Sequence, residues 1–217
     1  MRRRTFLEQA AGIALTAPAC TTFAAAESAT RTGGDLLSRM TWLNPPAAEH
    51  YSDGVLTVRS KGKTDFWRKT FYGYVTDNGH FMSVPMLGEF TLQARVGGNY
   101  SALYDQAGLM VRLDEKHWMK CGSEFVEGKR WASVVFTHDF SDWSTMEDLS
   151  QNSPVWWRVV RKKDSIEAQC SKDGASFLTI RQGYFPADMK VLAGVMCAAP
   201  EGAGFDAVFD QISIDRG

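Results

Sequence analysis

Phe90-Thr91-Leu92-Gln93-Ala94-Arg95-Val96 decides how this chain folds. Apolar side chains stand at every second position, with polar ones between them. Successive side chains of a β-strand point to opposite faces, so Phe90, Leu92, Ala94 and Val96 share one face and Thr91, Gln93 and Arg95 the other. Working outward, the alternation recurs in Leu109, Val111 and Leu113, then in Met119, Cys121 and Phe125 against Trp118, Lys120 and Glu124. Val134 and Phe136 follow, then Val155, Trp157 and Val159, then Ile166, Ala168 and Cys170. Residues 191–198 are more uniformly apolar, and Phe209-Asp210-Gln211-Ile212-Ser213-Ile214 closes the chain. Ser52-Asp53-Gly54, Asp77-Asn78-Gly79, Gly97-Gly98-Asn99, Lys172-Asp173-Gly174 and Glu201-Gly202-Ala203-Gly204 punctuate these runs as turns. Asp77-Asn78-Gly79 is expected to be a hairpin turn. Many short strands with such punctuation predict an all-β sandwich or jelly roll. No break in composition divides residues 37–217, so they read as one domain.

The ends and the composition bound the rest. Arg3-Arg4-Thr5-Phe6-Leu7 resembles a twin-arginine export motif, and the apolar stretch at residues 10–17 is too short to span a bilayer. Ala24-Ala25-Ala26 offers a cleavage site. Residues 1–26 are therefore expected to be a signal peptide and residues 27–36 a polar linker. The expected location is periplasmic or secreted, without membrane insertion once the signal is removed. A net charge of −1 gives no electrostatic case for nucleic acid. Removing the signal removes Cys20 and leaves Cys121, Cys170 and Cys197, an odd set without CxxC spacing, read as small core residues. The four histidines lack metal-ligand spacing, so no metal or cofactor is expected from the motifs.

Several strings together resemble a family. They are Thr64-Asp65-Phe66-Trp67, then Tyr104-Asp105-Gln106-Ala107-Gly108-Leu109-Met110 leading to Trp118, Lys120, Gly122 and Glu124. Ser141-Asp142-Trp143-Ser144, Trp156-Trp157-Arg158-Val159, Ser171-x-Asp173-Gly174 and Val208-Phe209-Asp210-x-Ile212 complete the set. Over about residues 40–215 the chain resembles the domain of unknown function sometimes labelled "regulation of enolase", of the concanavalin A-like superfamily. The resemblance implies a jelly roll of two antiparallel sheets and implies no particular chemistry. The superfamily also admits a structural calcium site, with Asp77-Asn78-Gly79 or the Asp210 region as its source.

In such a sandwich the concave face of one sheet commonly holds a ligand. Parity puts Trp118, Lys120 and Glu124 on the face opposite Met119, Cys121 and Phe125. Arg158 is expected to point outward on its strand, Asp105 and Gln106 to lie where a loop enters a strand, and Asp65 and Trp67 to lie at a rim. Read as a site, these make a polar groove with aromatic platforms. Sugar rings stack their C–H faces on Trp and pair their hydroxyls with polar side chains. Read blandly, they are a solvated sheet face with cross-strand charge pairs. The leading expectation is a carbohydrate-binding domain. Ligand-binding candidates are Asp65, Trp67, Gln106, Trp118, Lys120 and Arg158, and the partner is a glycan or similar polar ligand. The second expectation is a glycoside hydrolase or lyase with Glu124 and Asp105 as acid–base pair and Lys120 or Arg158 stabilising charge. The third is a structural or interaction domain of the envelope. Ser141-Asp142-Trp143-Ser144 is read as a capped turn in preference to a binding loop.

Overall fold

A computed structural model describes residues 31–147 and 150–217. The expected signal peptide, with Cys20, lies outside the described residues. In chain order the first elements are β1 (Arg31–Thr32), α1 (Gly33–Leu37), β2 (Thr41–Leu43), β3 (Ala48–Ser52), β4 (Val55–Arg59), β5 (Phe66–Arg68) and β6 (Val75–Asp77). Next come β7 (His80–Met86), β8 (Phe90–Gly98), β9 (Gln106–Arg112), β10 (His117–Val126), β11 (Lys129–His138) and β12 (Phe140–Glu147). The last are β13 (Val155–Lys162), β14 (Ser165–Ser171), β15 (Leu178–Tyr184), β16 (Val191–Ala198) and β17 (Asp206–Arg216).

Two large antiparallel sheets form a sandwich, as the alternation and the resemblance imply. The first runs β15-β14-β13-β8-β17-β4-β3, with β1 also on β17. The second runs β12-β11-β10-β9-β16-β7-β2. β5 and β6 form a separate two-stranded ribbon. The stretch read first is β8, a central strand between β13 and β17. Its Leu92, Ala94 and Val96 are fully buried with Trp157, Val159, Leu109, Val111 and Met119 in one continuous core. Burying each large apolar side chain stabilises the fold by about 1.5–3 kcal/mol.

Two sequence expectations are redrawn, and the last strand departs from simple alternation. The C-terminal part of the expected linker is structured: β1 pairs with β17, and Leu36 of α1 is buried in the core. Asp77-Asn78-Gly79 is not a hairpin turn, because β6 pairs with β5 whereas β7 joins β16 and β2. Neither Asn78 nor Gly79 takes the positive φ that a tight type I′ turn needs. The chain instead crosses here from the ribbon to the second sheet. Asn78 accepts a bond from the Asp65 N–H and donates to the Lys63 carbonyl, and a Cβ on Gly79 would strike the Phe66 ring at 2.4 Å.

Lastly, Phe209 and Ile212 both enter the core although they are three residues apart. The register of β17 on β8 slips between Asp210 and Ser213, and Gln211 has φ 50°. One extra residue in a strand re-aims everything after it. Cys121, Cys170 and Cys197 are buried and pack as core residues.

Candidate ligand-binding pocket

Register fixes what shares the outer face of the second sheet. Lys120 of β10 lies opposite Met110 of β9 and Val135 of β11, and Glu124 lies opposite Gln106. Outward here does not mean exposed. The β5–β6 ribbon lies over this face and buries a second apolar cluster that includes Phe66, Trp67, Met110, Trp118 and Val135. The ribbon is pinned at several points. Arg112 donates two bonds of 2.7 Å to the Asp77 carboxylate. The Arg68 N–H donates to Ser141 Oγ, and Arg68 and Lys69 both reach the Asp139 carboxylate. The loop between β5 and β6 turns sharply through positive φ at Lys69, Phe71 and Gly73. It brings the Tyr72 and Tyr74 rings into a stack at 5.6 Å, with Trp67 edge-on to Tyr72 at 5.7 Å.

Between ribbon and sheet lies a pocket of about 350 Å³, its open mouth included. Polar side chains of Asp65, Gln106, Lys120 and Glu124 line it, and Trp67, Tyr72, Tyr74, Tyr104 and Trp143 form an aromatic collar. The Lys120 ammonium spends its protons on the Phe66 carbonyl (2.8 Å), Gln106 Oε1 (2.6 Å) and Asp65 Oδ1 (3.3 Å). Asp65 Oδ1 also accepts from the Phe66 N–H and from Gln106 Nε2. Glu124 accepts a bond from Trp143 Nε1 at 3.1 Å, and the same N–H reaches Ser133 Oγ. Burial pushes the Glu124 carboxyl above the usual carboxylate range; Lys120 opposes this most strongly, Ser133 and Trp143 also oppose it, and the Asp65 charge adds to it. Tyr104 holds φ 66° and bonds the Tyr72 hydroxyl at 3.1 Å, which with burial pushes its own hydroxyl up to about 12.

Beside the polar groups the sheet carries no side chain at two facing positions. Gly122 lies opposite Gly108, and a Cβ on either would approach a backbone carbonyl of the other strand to within 2.1 Å or 1.9 Å. Only glycine fits that approach, and it leaves the space beside Lys120 and Glu124 open.

Five expected site residues, Asp65, Trp67, Gln106, Lys120 and Glu124, therefore meet in one pocket. The other three do not line it. Trp118 is on the same face but sits under Phe66, ring centroids 6.2 Å apart, and is fully buried in the second cluster. Asp105 has the opposite parity to Gln106. Its carboxylate caps its own loop, accepting the Ser101 and Ala102 N–H groups at 2.9 Å. Arg158 lies on the first sheet, where it donates to Gln93 Oε1 and stacks 3.4 Å from the Phe177 ring centroid. Sequence reading also missed residues. Ser141-Asp142-Trp143-Ser144 is no turn but part of strand β12, and Trp143, opposite Val135, faces the pocket. Tyr72, Tyr74 and Tyr104 stand in or beside strings already singled out, but nothing in periodicity aims a loop side chain. The carboxylates of the two segments considered for calcium meet arginines: Asp77 meets Arg112, and Asp210 meets Arg95.

With the geometry in place, similarity to known proteins becomes informative. Residues 42–216 match the family described as "Protein of unknown function (DUF1349)". The chain belongs to this family. "Regulation of enolase protein 1" of Saccharomyces cerevisiae is 41% identical over 178 residues, covering 82% of this chain and 90% of that protein. A crystal structure of a functionally unknown Saccharomyces cerevisiae protein superimposes with a TM-score of 0.80 at 40% identity, covering 83% of this chain and 98% of that one. Two more distant structures share the fold alone. A GH43 protein from Bacillus licheniformis has a TM-score of 0.66 at 13% identity, covering 82% of this chain and 37% of that one. The carbohydrate-binding module CBM66 from Bacillus subtilis has a TM-score of 0.54 at 12% identity, covering 81% and 96%. Within this DUF1349 chain, four of the strings that carry the family resemblance contribute to the pocket: those around Asp65, Gln106, Lys120 with Glu124, and Trp143. No helix among the described residues is long and apolar enough to cross a membrane.

Proposed function

We propose that this pocket binds a saccharide and that the domain acts outside the cytoplasm as a carbohydrate-binding module. One observation carries the reading: a cluster of hydrogen-bonding side chains, Asp65, Gln106, Lys120 and Glu124, lies inside a collar of Trp and Tyr rings. Sugars offer the complement, apolar C–H faces rimmed by hydroxyls. Much of that space is open mouth, so a sugar ring would rest against the aromatic collar with its hydroxyls turned to the polar floor. The sandwich likeness to CBM66 and to the GH43 structure supports the reading at the level of fold. A glycan array followed by calorimetry tests it. Trp143→Ala is expected to weaken the selected glycan at least ~10-fold, the worth of a lost ring and its N–H. Arg158→Ala, on the other sheet, is expected to change affinity less than about twofold. An empty array, or equal losses from both variants, refutes the assignment.

A second reading has its own observation. Glu124 is a buried carboxyl with a raised pKa, the state of a general acid. A carbohydrate-active enzyme built here draws its second carboxylate from Asp65, which lines the pocket, rather than Asp105, which does not and caps its own loop through Oδ2.

A further inference from the structure

With both acids ionised, the charges inside the collar do not balance. Asp65 and Glu124 bring two carboxylates, and Lys120 brings one ammonium. All three residues are more than nine-tenths buried, so water screens them poorly. The ammonium is also committed to one side of the pocket. Its protons go to the Phe66 carbonyl, Gln106 Oε1 and Asp65 Oδ1. Glu124 is held by neutral donors, the Trp143 indole N–H and the Ser133 hydroxyl. Burial raises the Glu124 pKa, and a cation placed beside it favours the ionised carboxylate; with both carboxylates ionised the pocket carries one negative charge more than Lys120 neutralises, inside a collar of Trp and Tyr rings. A desolvated negative charge beneath aromatic rings is the chemistry that recognises an ammonium group.

From this charge count and collar we infer that the pocket selects a saccharide bearing a free amino group, an unacetylated hexosamine, with its ammonium beside Glu124. The inference rests on the saccharide reading above and deepens it. A neutral sugar meets the same collar but brings no cation to favour the ionised Glu124. An N-acetylated sugar loses the charge and adds bulk where Trp143 and Glu124 already touch. A small recess at Gly122, edged by Lys120, Glu124 and Ser133, is about the size of one water, which suits an ammonium group and not an acetamide.

The test measures binding of glucosamine, galactosamine and mannosamine as methyl glycosides, beside their N-acetyl and parent neutral counterparts and tetramethylammonium chloride. Calorimetry on the folded chain at pH 7 is the readout. At least one free amine is expected to bind ten times more tightly than both of its neutral counterparts. In Glu124→Gln that preference is expected to fall below threefold. Circular dichroism on the same variant confirms that it is folded. Neutral sugars binding as well as the amines overturns the inference and leaves the saccharide reading standing. Tetramethylammonium binding without any sugar supports the cationic preference and sinks the saccharide reading. Silence from every probe overturns both.

Discussion

The outer faces of the two sheets obey the same alternation and end in opposite physical states. On the first sheet, Arg95 pairs with Asp210 across β8 and β17 while 43% of its side chain stays exposed. Arg158 lies across Gln93 on the neighbouring strand. These groups settle their charges in the plane of the sheet, at its edge with water. On the second sheet, Lys120 and Asp65 meet under the β5–β6 ribbon with side chains only 6% and 12% exposed. Period two tells which side chains leave the core. It does not tell whether water or a third layer receives them. Burying ionisable groups opposes folding, and on this face the ribbon is what keeps them from water.

The sharpest way to break that contrast is to remove the cation from each face. Lys120→Met leaves Asp65 and Glu124 buried without their shared ammonium and is expected to cost about 3–5 kcal/mol. Arg95→Met removes one arm of a half-exposed pair and is expected to cost no more than about 1 kcal/mol. Urea unfolding of both variants makes the comparison. Similar small losses mean the ribbon admits water freely and the two faces are alike. Adding Glu124→Gln to Lys120→Met should return part of the loss, because it removes one of the charges left stranded.

The fold was legible because its signal is local and repeated. Leu92, Ala94 and Val96 announce a core face in seven residues, and the same pattern returns in most of the strands that line the core. The pocket was half legible. Lys120 and Glu124 follow from parity on one strand, and Gln106 follows from where β9 begins. Trp118 shows the limit of that reasoning: its parity is right, but Phe66 covers it, and Phe66 arrives from a ribbon that no period reveals. Arg158 fails for a different reason. Two strands can each be read as having an outside, but alternation cannot say whether it is the same outside. Trp143 was read as part of a turn because Ser and Asp surround it, yet β12 pairs through those residues with β11. A strand at the sheet's edge can carry polar residues that a central strand cannot.

A middle-sized effect tests the floor of the pocket. Gly122→Ala places a Cβ 2.1 Å from the Ala107 carbonyl oxygen, a backbone atom that cannot swing aside. Strands β9 and β10 must part locally, at an expected cost of about 2–3 kcal/mol. Gln93→Ala, on the outer face of the first sheet, removes only side-chain contacts and is expected to cost under about 1 kcal/mol. If Gly122→Ala unfolds no more easily than Gln93→Ala, the close strand approach is not fixed by glycine.

The smallest expected effect is the most specific to the buried charges. Burial raises the Glu124 pKa in the folded chain, against the opposing charge of Lys120, with Asp65 and Tyr104 also facing it. In the unfolded chain it titrates at about 4.3. Below that pH both states hold the proton and Glu124 contributes no pH dependence. Above it the unfolded chain releases the proton and the folded chain retains it. Stability therefore falls as pH rises from about 4.3 towards the raised pKa. His80 produces the opposite slope. Its Nδ1 bonds the Asn44 carbonyl and its Nε2 accepts the Lys61 N–H, and burial lowers its pKa. Below about 6.5 the unfolded chain takes up a proton that folded His80 refuses, so that term drains stability as pH falls. The two slopes overlap in a single melting profile, and only a difference separates them. Glu124→Gln keeps the shape of the side chain and removes the titration. Relative to wild type it is expected to melt about 2–4 °C higher at pH 7, roughly the worth of 1 kcal/mol in a chain this long. The gain should shrink to nothing by about pH 3, where the wild-type carboxyl is protonated in both states. A gain that persists at acid pH would mean that the glutamine repacks the pocket, and that the Glu124 charge is not what the fold resists.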